Sequence, residues 1–173
     1  MNNKVIAFTE AVRRLRGEPA APSRQPDSLE AIFTKDDIGA VVRAHLYCEW
    51  GLRKLVEPHF SLEERGALTF TKLVSEARKR RLIGPDIAES MFALNRLRVD
   101  FVHSPGFVLD CPRLAEFTGE LRGLIREMYE ECVPEIEGLG WDLDADSALL
   151  RTALAACMTP FDEEFLGVTE PDA

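Results

Sequence analysis

The segment Leu94–Phe107, LNRLRVDFVHSPGF, sets an arginine among apolar residues and a histidine where a helix should stop. A helix advances about 100° per residue, so with Ile87 as origin Leu94, Met91, Phe101 and Val102 fall within about 60° and Arg98 lands inside them, at about 20°. Arg96 and Asp100 fall on the far side. The segment from Ile38 repeats the pattern: Val42, Leu52 and Val56 lie within about 40° of Ile38, flanked at about 20° by His45 and Glu49. His45 and Glu49 are four residues apart, so their side chains can meet. An unpaired buried charge costs several kcal/mol, whereas a paired and hydrogen-bonded one is tolerable. Three arrangements of His45, Glu49 and Arg98 follow. Glu49 and Arg98 can form an inert buried pair that fixes the register of two packed helices, with His45 beside it. Arg98 can reach water along its own stem. Or the three residues can line a functional polar pocket.

These residues need helices to position them. Few segments alternate at period two, and apolar residues mostly recur at three and four, which predicts an all-α fold, a helical bundle of about five to six helices. The expected helices cover 3–16, 34–57, 63–82, 85–102, 110–132 and 147–158. The second opens at TKDD, where Thr34 and Asp37 have capping-box spacing, and ends before Pro58. The third stops at Gly84, the fourth opens at Pro85, and the fifth follows a cap at Asp110. Residues 1–27 form an N-terminal helix and a Pro-rich linker, residues 28–160 the helical domain, and residues 161–173 a loose acidic tail.

The chain of 173 residues is 46% apolar and 29% charged, an ordinary globular composition large enough for one core. No apolar run approaches the roughly 20 residues that span a bilayer, and the N-terminus lacks the apolar stretch of a secretory signal. A cytoplasmic location without membrane contact is expected. The net charge of −9 is uneven: residues 1–109 carry 17 Lys and Arg against 14 Asp and Glu, and residues 110–173 carry 4 against 16. That balance disfavours direct DNA binding, because phosphate contacts dominate such affinity. Arg78, Lys79, Arg80 and Arg81 read first as a solvated helix end, with a phosphate or RNA contact as the alternative. Cys48, Cys111, Cys132 and Cys157 form no CxxC pair and are expected as reduced core or near-core thiols. Asp142, Asp144 and Asp146 begin like a calcium loop, but Ser147 and Ala153 occupy the positions that need glycine and glutamate, so a helix cap is expected. No metal site, cofactor or nucleotide-binding motif is expected.

The order of pieces carries one resemblance. DDIGAVVRAHLYCEWGLRKLVEPHF is followed by LTFTKLVSEARKRRLIGPDIAESMFALNRLRVDFVHSPGF. A long helix with an apolar end, a basic helix closing on LI, and a helix ending in an Arg-x4-His motif resemble the mannitol operon repressor family and its relatives in the HEPN superfamily of helical domains. The resemblance covers roughly residues 34–108. Val99 stands where the pattern has a polar residue, and Arg96 offers a second register. The resemblance implies one of two functions. One is a non-enzymatic regulator acting through protein partners, possibly on transcription, which is the reading favoured by the acidic C-terminal half. The other is a metal-independent endoribonuclease, a toxin or defence-type enzyme that works as a homodimer. In it, Arg98 (or Arg96) and His103 would meet across the dimer, His103 moving protons at a 2′-hydroxyl or leaving oxygen and the arginine stabilising transition-state charge.

Overall fold

Every regular element among the described residues is helical, with no strand. The structure is a computed structural model that describes Ile32 and residues 36–103, 107–137 and 144–161. Among the described residues seven helices follow one another: α1 Asp37–Val56, α2 Leu62–Arg65, α3 Phe70–Lys79, α4 Pro85–His103, α5 Cys111–Glu120, α6 Gly123–Glu137 and α7 Ala145–Met158. Short 3-10 turns at Glu57–His59 and Thr159–Phe161 close α1 and α7. The expected helix over 3–16, the linker over 17–27, Thr34 and the tail from residue 162 lie outside the described residues.

Two expected helices each divide in two, which raises the count above five or six. The first division follows Arg65. The Arg53 guanidinium donates to the carbonyls of Arg65 (3.4 Å) and Leu68 (2.9 Å), which turns the chain away from helix. Thr69 then caps α3 through its hydroxyl, which accepts from Lys72 N–H. The end of α3 comes earlier than Gly84. Leu82 N–H donates to Ala77 O (2.9 Å) and Arg81 N–H to Arg78 O (3.0 Å), the two bonds of a Schellman ending. Arg81 takes the left-handed position there (φ 60°), where a glycine is usual. The second division falls at Leu121, whose backbone is extended. Ser90 Oγ accepts from Arg122 N–H (3.0 Å), and Gly123 turns with φ 49°. A Cβ on Gly123 would lie 2.6 Å from Asp86 Oδ2, so the turn also fits closely against α4. The apolar stripe expected across both halves holds: Leu114, Phe117, Leu121, Ile125, Met128 and Cys132 are all buried.

The centre of the bundle is the C-terminal helix α7. From Ser147 to Met158 every residue except Leu149 is buried. A helix that is apolar all round must be enclosed by others, and α7 packs on α6, α1, α4 and α5. Burial of side chains such as Leu150 and Leu154 contributes roughly 1.5–3 kcal/mol each. Asp144 caps α7 by accepting from Ser147 N–H (2.8 Å), as expected of a cap rather than a calcium loop.

Pairwise contacts fix the directions. Asp37 meets Ser147, Cys48 meets Cys157 and Gly51 meets Phe161, so α7 runs parallel to α1. Cys111 Sγ donates to Asp146 (3.0 Å), which brings the start of α5 to the same end. The short connection from His103 to Cys111 then places the end of α4 there too, antiparallel to α1. No helix among the described residues is long and apolar enough to cross a membrane.

Candidate functional site

The first polar cluster lies on the seam between α1 and α4. His45 is buried, stacks on Phe70 (centroids 4.0 Å apart), and its Nε2 hydrogen-bonds to Asn95 Oδ1 at 3.1 Å. Burial holds its imidazole below the usual histidine range, and the nearby Arg98 charge works in the same direction; the Asn95 bond and Glu49 oppose them.

The expected Glu49–Arg98 ion pair is corrected. Glu49 accepts from Arg53, one turn further along α1, at 2.8 and 3.0 Å. Arg53 also reaches Glu57 (3.0 Å). A partner four residues away on the same helix is held close by the backbone. Arg98 is half-buried on α4. It makes no ion pair or hydrogen bond among the described residues.

His103 ends α4 and is exposed. Nothing among the described residues joins it to Arg98 within one chain. Arg96 points elsewhere and pairs with Glu120 (2.7 Å). The basic run is largely engaged: Arg78 pairs with Glu89 (2.9 Å), while Lys79 (3.7 Å) and Arg80 (3.3 Å) share Glu76. Arg80 also lies over the Phe60 ring, and Arg81 occupies the helix ending.

A second ionic cluster, its arginine fully buried and its aspartate half-buried, stands about 80° around α1 from His45. Arg151, with no exposed surface, pairs with Asp37, and its Nη1 also donates to Ser147 O (3.0 Å). Ser147 Oγ donates to both Asp37 oxygens (3.1 and 3.3 Å). Asp37, the first residue of α1 after the N-cap Asp36, thus ties α1 to α7. Arg151 is the one charge between Ser147 and Met158, and a lone charge in an otherwise uncharged, apolar helix was the available signal.

No protein-family model, no curated protein and no solved structure matches this chain.

The remaining feature is apolar. Ile38 is 46% exposed, Val99 37% and Val102 45%. Ile38 lies about 20° around α1 from His45, two turns earlier, while Val99 and Val102 lie within about 40° of Asn95, one and two turns later. Because α1 and α4 are antiparallel, the three residues continue the seam beyond the His45–Asn95 contact. Val108, 76% exposed, belongs to the same end of the bundle. A grouped apolar surface of this kind marks an interaction site more readily than scattered single residues do. Among the described residues no three His, Cys, Asp or Glu side chains gather as a metal cage. Cys48, Cys132 and Cys157 are buried and Cys111 is exposed. Burial pushes the Cys157 thiol up to about 12, so it stays protonated.

Proposed function

We propose that the chain is a non-enzymatic regulatory or interaction protein, related in its helix order to the mannitol-repressor branch, that assembles as a homodimer through the α1–α4 seam and acts on protein partners. The observation that carries this reading is the exposed Ile38, Val99 and Val102 on the rim of an otherwise filled core. A second copy is the occupant because the seam is self-complementary. Antiparallel pairing of two α4 helices, centred between Val99 and Val102, sets Val99 of each copy opposite Val102 of the other, the isologous arrangement a two-fold requires. Light scattering of the wild type and of Val102→Asp tests it. The expected result is a wild-type dimer and a monomeric variant with an unchanged unfolding midpoint. A wild type that stays monomeric across the concentration range overturns it.

The proposed pairing also supports a second reading. It would bring Arg98 of one copy to the level of His103 of the other, flanking the valines. That is the placement a metal-independent endoribonuclease of the HEPN type needs, with the histidine as proton carrier and the arginine as charge stabiliser. Mixed RNA incubated with EDTA separates the two readings. Cleavage that disappears in His103→Ala supports the enzyme; a dimer that leaves RNA intact supports the regulator.

A further inference from the structure

An apolar stripe runs along the outside of α1. Ile38, Val42 and Leu46 are four residues apart, so they step about 40° at a time around the helix and cover about 12 Å of its length. Ile38 is 46% exposed, Leu46 is 56% exposed and Val42 is half-buried. The fold explains why this stripe is uncovered. Phe70, the first residue of α3, stacks on His45. From there α3 leads toward the start of α4, at the far end of α1, so on this side it covers only the C-terminal half of α1.

One cation stands beside the stripe. His45 meets Asn95, and α1 and α4 are antiparallel, so Arg98, three residues after Asn95, is level with Val42, three residues before His45. Arg98 is half-buried and makes no ion pair or hydrogen bond among the described residues. Alongside burial, its charge holds the His45 imidazole below the usual range, so the guanidinium lies toward α1. The acids of α1 nearest to it are engaged: Glu49 with Arg53 and Asp37 with Arg151. Asp100 stands about 160° around α4 from Arg98. A body that covers the stripe also encloses Arg98, and an enclosed guanidinium needs a counter-charge. The occupant must therefore bring a carboxylate of its own. A second copy does not meet that need, because two stripes pressed together would bury two Arg98 side chains. Three apolar residues four apart are the footprint that a docked helix reads with its own apolar face.

We infer that the Ile38–Val42–Leu46 stripe, with Arg98 level with its middle, docks an amphipathic helix of a protein partner that carries carboxylates beside its apolar face. This names the kind of partner and rests on the reading of the chain as an interaction protein. It leaves Val99 and Val102, on the other flank of Arg98, to the second copy.

The test uses the full chain and two synthetic helical peptides, each with leucines at three positions four apart. One carries glutamates along the flank of that face and the other lysines. Binding is read by fluorescence anisotropy of the labelled peptides. Wild type should bind the glutamate peptide about ten-fold tighter than the lysine peptide, and Arg98→Glu should invert the preference. Leu46→Asp, at an exposed position, should weaken both peptides about ten-fold without moving the unfolding midpoint. Equal affinity for the two peptides overturns the proposal, as does a preference that Arg98→Glu leaves unchanged, or no binding of either peptide. Displacement of the glutamate peptide by mixed RNA also overturns it, giving Arg98 to a phosphate instead. Light scattering on the same samples keeps the result apart from the dimer. A monomeric wild type that still prefers the glutamate peptide upholds the docking site and overturns only the pairing through α4. A Leu46→Asp variant that changes the oligomeric state and not the peptide affinity overturns the docking site, by putting a second copy on the stripe.

Discussion

Two sides of one helix treat charge differently. On the side of α1 that meets α7, Asp37 holds the fully buried Arg151 and Ser147 completes the set. On the side that meets α4, Arg98 stays half-buried without an ionic partner among the described residues, and Glu49 turns to Arg53. Both arginines sit among apolar neighbours in the sequence. What separates them is the helix each belongs to. α4 has a rim, so a long side chain there can reach water. α7 has none beyond its first turn, so the one charge it carries after Asp146 must be paired inside the fold. A charge on an apolar stripe therefore calls for a buried partner only where the whole helix is enclosed.

The largest expected effect breaks the enclosed pair. Asp37→Ala removes an ionic partner of the fully buried Arg151 and should cost about 3–5 kcal/mol in urea unfolding. Replacing the pair together, Asp37→Leu with Arg151→Met, should recover most of that loss, because a well-packed apolar pair leaves no buried charge. Gly51→Ala probes the same side through packing. Its methyl would press on Phe161, with an expected cost of about 1–3 kcal/mol that Phe161→Ala does not add to in full.

The seam side gives smaller effects. His45 is held below its ordinary 6.5, so below that pH the unfolded state takes up its proton first. Stability from this group is complete above pH 6.5 and falls as the solution is acidified toward the lowered value. His45→Gln should flatten that part of the stability–pH curve. Smallest of all is Arg98→Met, expected within about 0.5 kcal/mol of wild type. A loss comparable to that of Asp37→Ala would place Arg98 in an enclosed pair and remove the contrast.

The all-α class, the caps at Asp110 and Asp144 and the stripe from Leu114 to Cys132 were legible because each rests on local spacing. The core-facing side of α1 was legible only in part: His45, Leu52 and Val56 are buried as their spacing implies. Its large apolar residues point to Ile38 as the centre, yet Ile38 stands at the rim. The buried side is drawn by Ala40, Ala44, Cys48 and Gly51, small residues that let α7, rich in alanine, come close. Small residues say little about burial by themselves, and the closeness of two helices 110 residues apart has no local signature. The same holds for Arg151, whose partner is fixed only once α1 and α7 run parallel. The short break at Leu121 depends on Ser90 capturing an amide from another helix, again a tertiary event.

The most direct measurement asks which face of the molecule meets its copy. A chain carrying Val102→Cys, with Cys111→Ser to remove the exposed thiol, is treated with a short bismaleimide beside a Leu46→Cys control. Val102 and its copy across an antiparallel α4 pair should link efficiently into a covalent dimer while the Leu46 variant remains a monomer. Equal linkage of both, or none at Val102 at concentrations where the protein is dimeric, would contradict assembly through the α1–α4 seam.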